Sequence, residues 1–367
     1  MSCPPHFSFS TDTCLPTCPA EVYSHSEYTI VITTHTVFSV LAILSSLLVF
    51  PPYIAKRSLR AWPGPALMGI FFSVFIIGVS GLFPMIAYGK NNWTRLSCGS
   101  ETQVADLHHT LCGFSAILYY FFAKFAASLW MIVTLWLLMR VARIALTENL
   151  TRISQILSFA YALIMPIIGS SIIIGKNLVE GQTINGGGCF ISTTIADGWY
   201  YEGLWTIPLM VEFTVGTGAL IACFVIIFRA GSWSTAKAFL NTQMRLIPFS
   251  SVYWYAVLTI NILRFYIIHN TKYFTDSTIK WYGCNAMTWQ GALMQNATIE
   301  EANYLAKSTC GSPAVPLFGI ILWISLSVKI AATLFPLIFV DIKWWMALTR
   351  GEIQRETMTS TSSVSNL

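Results

Sequence analysis

Polar and apolar positions alternate along this chain on the scale of a membrane, not of a helix face. Long apolar runs at about 30–54, 65–88, 112–139, 154–174, 203–228, 246–268 and 315–340 are separated by short polar stretches. The run from Gly203 to Phe228 shows no polar stripe; it carries one acid, Glu212, and Arg229 ends it. A soluble helix keeps a polar face. About 26 residues at 1.5 Å each exceed the hydrocarbon thickness, so this pattern predicts a spanning helix. Seven such runs predict an all-α bundle of seven transmembrane helices. No internal repeat is visible, and an odd number of spans disfavours an inverted-repeat transporter.

Composition sharpens the class. The chain of 367 residues is 55% hydrophobic and 10% charged, against about 25% charged in soluble domains. The net charge of +5 matters less than its placement. Lys56, Arg57 and Arg60 fall in the first loop, and Arg140, Arg143 and Arg152 in the third. Arg229, Lys237 and Arg245 lie in or border the fifth, while Lys343, Arg350 and Arg355 follow the last span. Basic residues in short loops mark the cytoplasmic side, so the N-terminus is expected outside and the C-terminus inside. Residues 1–29 hold no Lys or Arg. They lack the basic n-region and short apolar core of a cleavable signal peptide, and the run 30–54 is expected to insert the chain.

The expected organisation is an extracellular cysteine-containing linker over 1–29, a seven-span domain over 30–345, and a cytoplasmic helix and Ser/Thr-rich tail over 346–367. Sequons stand at Asn92, Asn149 and Asn296. Asn92 and Asn296 fall in loops read as external and are expected to carry glycans; Asn149 would face the cytoplasm. Cys3, Cys14, Cys18, Cys98, Cys112, Cys189, Cys284 and Cys310 all fall on the external side or at the outer end of a span. Only Cys223 lies within the membrane. An even number on the oxidising face predicts a disulfide framework, and spacing leaves 105 connectivities open.

Several blocks carry a family resemblance. Cys112 is followed eight residues later by Tyr120-Phe121-Phe122, then a small-residue run and Trp130. Cys189-Phe190 precede Asp197, Pro208-Leu209 and Gly216-Thr217. The sixth span opens QMRLIPFSSVY, and Lys329, Thr333 and Trp345 follow in the seventh region. In these blocks the chain resembles the membrane region of the Frizzled/Smoothened receptors, from Cys3 to about Ile353. The resemblance implies four disulfides, Cys3–Cys14, Cys18–Cys98, Cys112–Cys189 and Cys284–Cys310, the last closing a long third external loop. It implies a plasma-membrane receptor for an extracellular or lipid-like ligand, signalling to a cytoplasmic partner such as a heterotrimeric G protein. It also implies a latch between Arg245 and Trp345, a guanidinium over an indole face worth roughly 0.5–2 kcal/mol.

The departures are specific. The family's cysteine-rich ligand-capturing domain is not present ahead of the linker in this sequence. Leu348 and Ile353 stand where the family has the Lys and Trp of its Lys-Thr-x-x-x-Trp motif, so Dishevelled coupling and Wnt or Hedgehog ligands are not expected.

Lys124, Glu212 and Lys329 sit well inside the third, fifth and seventh spans. A charge at that depth costs at least ~2.5 kcal/mol on insertion scales and faces the bundle interior with a partner. They read as an intramembrane polar pocket or as a structural ion pair, with Lys124 the first choice of partner for Glu212. Trp344, Trp345, Met346 and Leu348 with Arg350 and Arg355 predict a short amphipathic helix on the inner leaflet. The tail ETMTSTSSVSNL is a polar segment open to phosphorylation. The sequence shows no metal-ligand spacing, nucleophile elbow or phosphate loop, so neither an enzyme, a cofactor nor a nucleic-acid partner is expected. Two alternatives are a cyclic-AMP-type chemoattractant receptor and, from another class, a transporter or channel using the buried charges.

Overall fold

The computed structural model describes residues 3–4, 7–10, 13–18, 25–56, 62–92, 98–100, 103–142, 144, 147–182, 188–192, 198–229, 255, 258–259, 261–263, 265–267, 269–315 and 318–349. The long helices are α1 (His25–Ala55), α2 (Gly64–Asn92), α3 (Thr110–Val141), α4 (Glu148–Gly175) and α5 (Ile207–Arg229). A helical turn over Gly198–Tyr201 and a π-helical turn over Glu202–Thr206 lead into α5. After the sixth span come α6 (Thr271–Met294), α7 (Ile299–Cys310), α8 (Phe318–Phe339) and α9 (Ile342–Thr349). α1 to α5 are long and apolar enough to cross a membrane, and they are helical because only a closed intrahelical ladder satisfies the backbone in lipid.

The helices close into a ring. α1 packs on α2 and α8, and α3 on α2, α4 and α5. The sixth-span expectation at 246–268 lies largely outside the described residues, but those described between 255 and 269 are mostly helical. Asn261 there donates to Met210 of α5 at 3.5 Å, and Tyr255 meets Trp323 of α8 edge-on at 6.2 Å. The described residues of this stretch therefore lie between α5 and α8. The shared core is built around the fully buried Phe71, Leu129, Trp130, Phe213 and Phe335.

One end of the bundle is held by cystines. A hairpin of β1 (Phe7–Ser10) and β2 (Thr13–Pro16) is closed by Cys3–Cys14, and Cys18–Cys98 ties it to the α2–α3 connection. Between α4 and α5, β3 (Val179–Gln182) pairs antiparallel with β4 (Gly188–Ile191). Cys189 of β4 bonds Cys112 at the start of α3, and the Gly181 amide donates to the Ala105 carbonyl at 2.7 Å. The hairpin is thus a lid pinned across the ring, and loop closure of this kind removes chain entropy from the unfolded state.

The expected long third loop is instead a helical hairpin. α6 carries on from the sixth span and α7 folds back on it, with Cys284–Cys310 across the pair. Two local signals build it. Asn296 takes φ +62° in the turn, a conformation Asn tolerates. Thr298 then caps α7: its hydroxyl accepts from the Glu301 amide, and the Glu301 carboxylate accepts from the Thr298 amide at 2.8 Å. A separate small core of Trp289, Ala292, Ala302 and Ala306 fills the pair.

Candidate functional site

Tyr120, Lys124 and Ser128 repeat every four residues on α3 and so share one face. That face meets α5. Lys124 Nζ donates to Glu212 Oε2 at 2.8 Å, and Ser128 donates to Glu212 Oε1 at 2.7 Å. All three are buried, Lys124 at 1%, Glu212 at 2% and Ser128 at 0% exposure, so the pair is shielded from solvent on every side. One turn above, Tyr120 donates its hydroxyl to the Leu204 carbonyl at 3.1 Å, within the π-helical turn where the ladder is rearranged. Glycines let the backbones come close. A methyl at Gly216 would sit 3.1 Å from both Trp130 and Thr134 of α3, and one at Gly169 of α4 would sit 1.9 Å from the Tyr120 oxygen.

The lid covers this stripe. Phe190 of β4 points down beside Cys189 and meets Trp205 edge-on at 5.0 Å and Tyr119 at 5.4 Å. Tyr201 stands at 6.1 Å from the same ring. An aromatic plug thus lies between the cystine end and the ion pair.

Lys329 does not join this group, contrary to the expectation of one polar pocket. α8 packs on α1, away from the α3–α5 contact, and this carries the ammonium to a different helix interface. There Lys329, 2% exposed, donates to Ser39 Oγ at 2.9 Å. Thr333, one turn on, donates to the Phe38 carbonyl at 3.3 Å.

At the opposite end of the bundle, Asp341 joins α8 to α9. Its carboxylate accepts from the Trp344 amide at 3.0 Å, capping α9, and from Lys56 Nζ at 2.5 Å. Trp345 donates its indole N–H to the Leu48 carbonyl of α1 at 3.0 Å. α9 starts at Ile342, ahead of the expected boundary at 346, because Asp341 supplies the cap. Arg245, the expected partner of Trp345, lies outside the described residues, as does the tail from 350 onward. Asn296 is exposed in the α6–α7 turn, and Asn92 is the last described residue of α2. Sequence reading missed Ser128 and Tyr120; their four-residue spacing about Lys124 was the signal that pointed to them.

Seven spans, a cystine-pinned lid over the α3–α5 stripe and a short helix after the last span define a membrane receptor fold of the G-protein-coupled type. Comparison with known proteins agrees. The family model described as the Frizzled/Smoothened family membrane region matches residues 22–346, and the chain belongs to that family. Among 152 matching chains of solved structures, a crystal structure of squid rhodopsin aligns with a TM-score of 0.52 at 9% identity. The alignment covers 90% of this chain and 82% of that one, a likeness of fold alone. A search of curated proteins returned no match.

Proposed function

We propose that this seven-span receptor sits in the plasma membrane with its cystine end outside. In this reading an extracellular or lipid-like ligand biases the bundle, and the α9 end recruits a cytoplasmic signalling protein such as a heterotrimeric G protein. The observation that carries the reading is the asymmetry of the two ends. Cystines fasten the linker, the lid and the α6–α7 hairpin at one end. At the other, the contacts joining α9 and its Asp341 cap to the α1 end include the Lys56–Asp341 ion pair and the Trp345–Leu48 hydrogen bond, and no cystine spans them among the described residues. A cross-linked face suits ligand capture, and a face held by non-covalent contacts suits opening. Lys56, Arg140, Arg152, Arg229 and Lys343 gather toward the α9 end, as the positive-inside rule requires of a cytoplasmic face. In the same reading Asn92 and Asn296 carry glycans, the α3–α5 stripe forms the floor of the ligand-responsive region, and Arg245 with Trp345 holds the resting state.

The test is basal and ligand-stimulated recruitment of a panel of G-protein probes, normalised to surface receptor. Arg245→Ala and Trp345→Ala each raise ligand-independent recruitment about five- to thirty-fold, for loss of a contact of ~1–2 kcal/mol. The double variant is no more active than the stronger single one. Solute flux through the purified chain in vesicles, with no probe recruited in cells, would replace the receptor by a transporter.

A further inference from the structure

The two lysines buried among the described residues are treated differently. Lys124 has a carboxylate; Lys329 has a hydroxyl. Along α1, α2 and α8, the three helices around Lys329, the sole acid is Glu27. It lies twelve residues from Ser39 on the same helix, roughly 18 Å along the axis. The ammonium donates one of its three protons, to Ser39 Oγ, and is 2% exposed. Ser39 is itself an exception. Ser45, Ser46, Ser73, Ser80 and Ser115 each donate to a carbonyl three or four residues back, which occupies the hydroxyl proton. Ser39 has no such bond among the described residues, and with its oxygen accepting from Lys329 its proton remains to be given.

The Gly81 carbonyl takes the His35 ring N–H, so the Lys329 and Ser39 donors converge where, among the described residues, no carboxylate stands. A methyl at Gly81 of α2 would lie 2.3 Å from Lys329 Nζ, 2.4 Å from Ser39 Oγ and 3.4 Å from the His35 ring. Three side chains from α1 and α8 thus meet against one glycine backbone. His35, Gly81 and Lys329 stand ten or eleven residues from the cystine-end termini of their helices, roughly 16 Å deep. His35 and Gly81 are partly exposed while Ser39 and Lys329 are not, so the cluster has an open side and a closed one. An ammonium in apolar surroundings is stable when an opposite charge and further hydrogen bonds meet it.

We infer that Lys329 and Ser39, beside the His35 ring, form a binding site for a small monoanionic group, reached past Gly81 between α1 and α2. The group is halide- or carboxylate-sized, because the remaining Lys329 and Ser39 donors are separated by a single hydrogen bond. Its source is either a free anion or the head of a fatty acid in the bilayer. The site is independent of the signalling role proposed above and is tested without it.

The full chain, purified in nanodiscs of zwitterionic lipid, is unfolded thermally in sodium gluconate, then with chloride or with oleate titrated in at constant ionic strength. The midpoint rises by several degrees and saturates with one of the two anions. Chloride identifies a free ion, and oleate without chloride identifies a lipid head. Ser39→Ala, which keeps the lysine, raises the half-saturating concentration about tenfold, as expected for a hydrogen bond to a charged group. Lys329→Met removes the response and, having no cation left to satisfy, is at least as stable in gluconate as the unmodified protein is. If Lys329→Met does not fold, Ser39→Ala decides alone. A midpoint unmoved by either anion, or a rise that persists undiminished in the folded variants, overturns the site.

Discussion

Trp345 donates its indole N–H to the carbonyl of Leu48, 3.0 Å away on α1, and that carbonyl is open because of Pro52. In a helix the Leu48 oxygen would accept from the amide four residues on, and proline has none. The proline in the first span thus creates the acceptor that anchors α9. Trp345→Phe keeps the ring and loses the bond, at a cost of about 1 kcal/mol in unfolding stability. Pro52→Ala restores an amide to the Leu48 carbonyl, so Trp345→Phe costs less in that background. Equal losses in the two backgrounds, measured as unfolding midpoints in nanodiscs, would separate the tryptophan from the proline.

The α3–α5 pair should behave as a buried unit. Glu212→Gln leaves Lys124 as an uncompensated buried cation, a loss on the order of 3–5 kcal/mol that lowers surface expression. Lys124→Met in the same chain recovers part of it, because an apolar side chain of similar length fills the space without needing a partner. Surface labelling of the four-member cycle checks this. Losses that simply add would show that the two residues stabilise the bundle separately.

The membrane-spanning pattern and the choice of Lys124 as the partner of Glu212 were legible because hydrophobic length and depth along a span are one-dimensional quantities. Placing Lys329 was not. Its sequence depth is close to that of Lys124, and only the packing of α8 on α1 sends it to a separate interface. The α6–α7 hairpin was also hidden. Its helices are too polar to register as spans, and the Thr298–Glu301 capping box that starts α7 is a short local signal inside what reads as a loop. The Leu48 acceptor could be derived from Pro52 in the sequence, but its donor lies 297 residues away.

Gly169 sets the place of the Tyr120 hydroxyl. A methyl there would lie 1.9 Å from the oxygen and 2.7 Å from the ring carbon that bears it. Gly169→Ala therefore pushes Tyr120 off the Leu204 carbonyl or α4 off α3, for ~1–3 kcal/mol of overpacking. Tyr120→Phe removes the nearest atom and softens the clash, although the ring carbons remain close. The expected order of unfolding midpoints is unmodified protein, then Tyr120→Phe with Gly169→Ala, then Gly169→Ala alone. A double variant no better than Gly169→Ala would place the strain elsewhere on α4.

The last expectation concerns pH at the cystine end. Glu301 accepts from the Thr298 amide and hydroxyl, and these bonds hold its carboxyl below the ordinary carboxylate range. A carboxyl depressed in the folded state contributes stability that is fully present above its unfolded pKa. That contribution is lost as pH falls through the folded value. The α7 cap therefore loosens in acid, below about pH 4, while the cystine keeps the hairpin joined. Amide exchange at the start of α7, corrected for its intrinsic pH dependence, should quicken there relative to α3. Glu301→Gln replaces the titrating group by a neutral acceptor and flattens the response. Thr298→Ala removes the hydroxyl cap at every pH, costing ~1 kcal/mol of local stability. Acid-quickened exchange that survives Glu301→Gln would assign the response to something other than the Thr298–Glu301 cap.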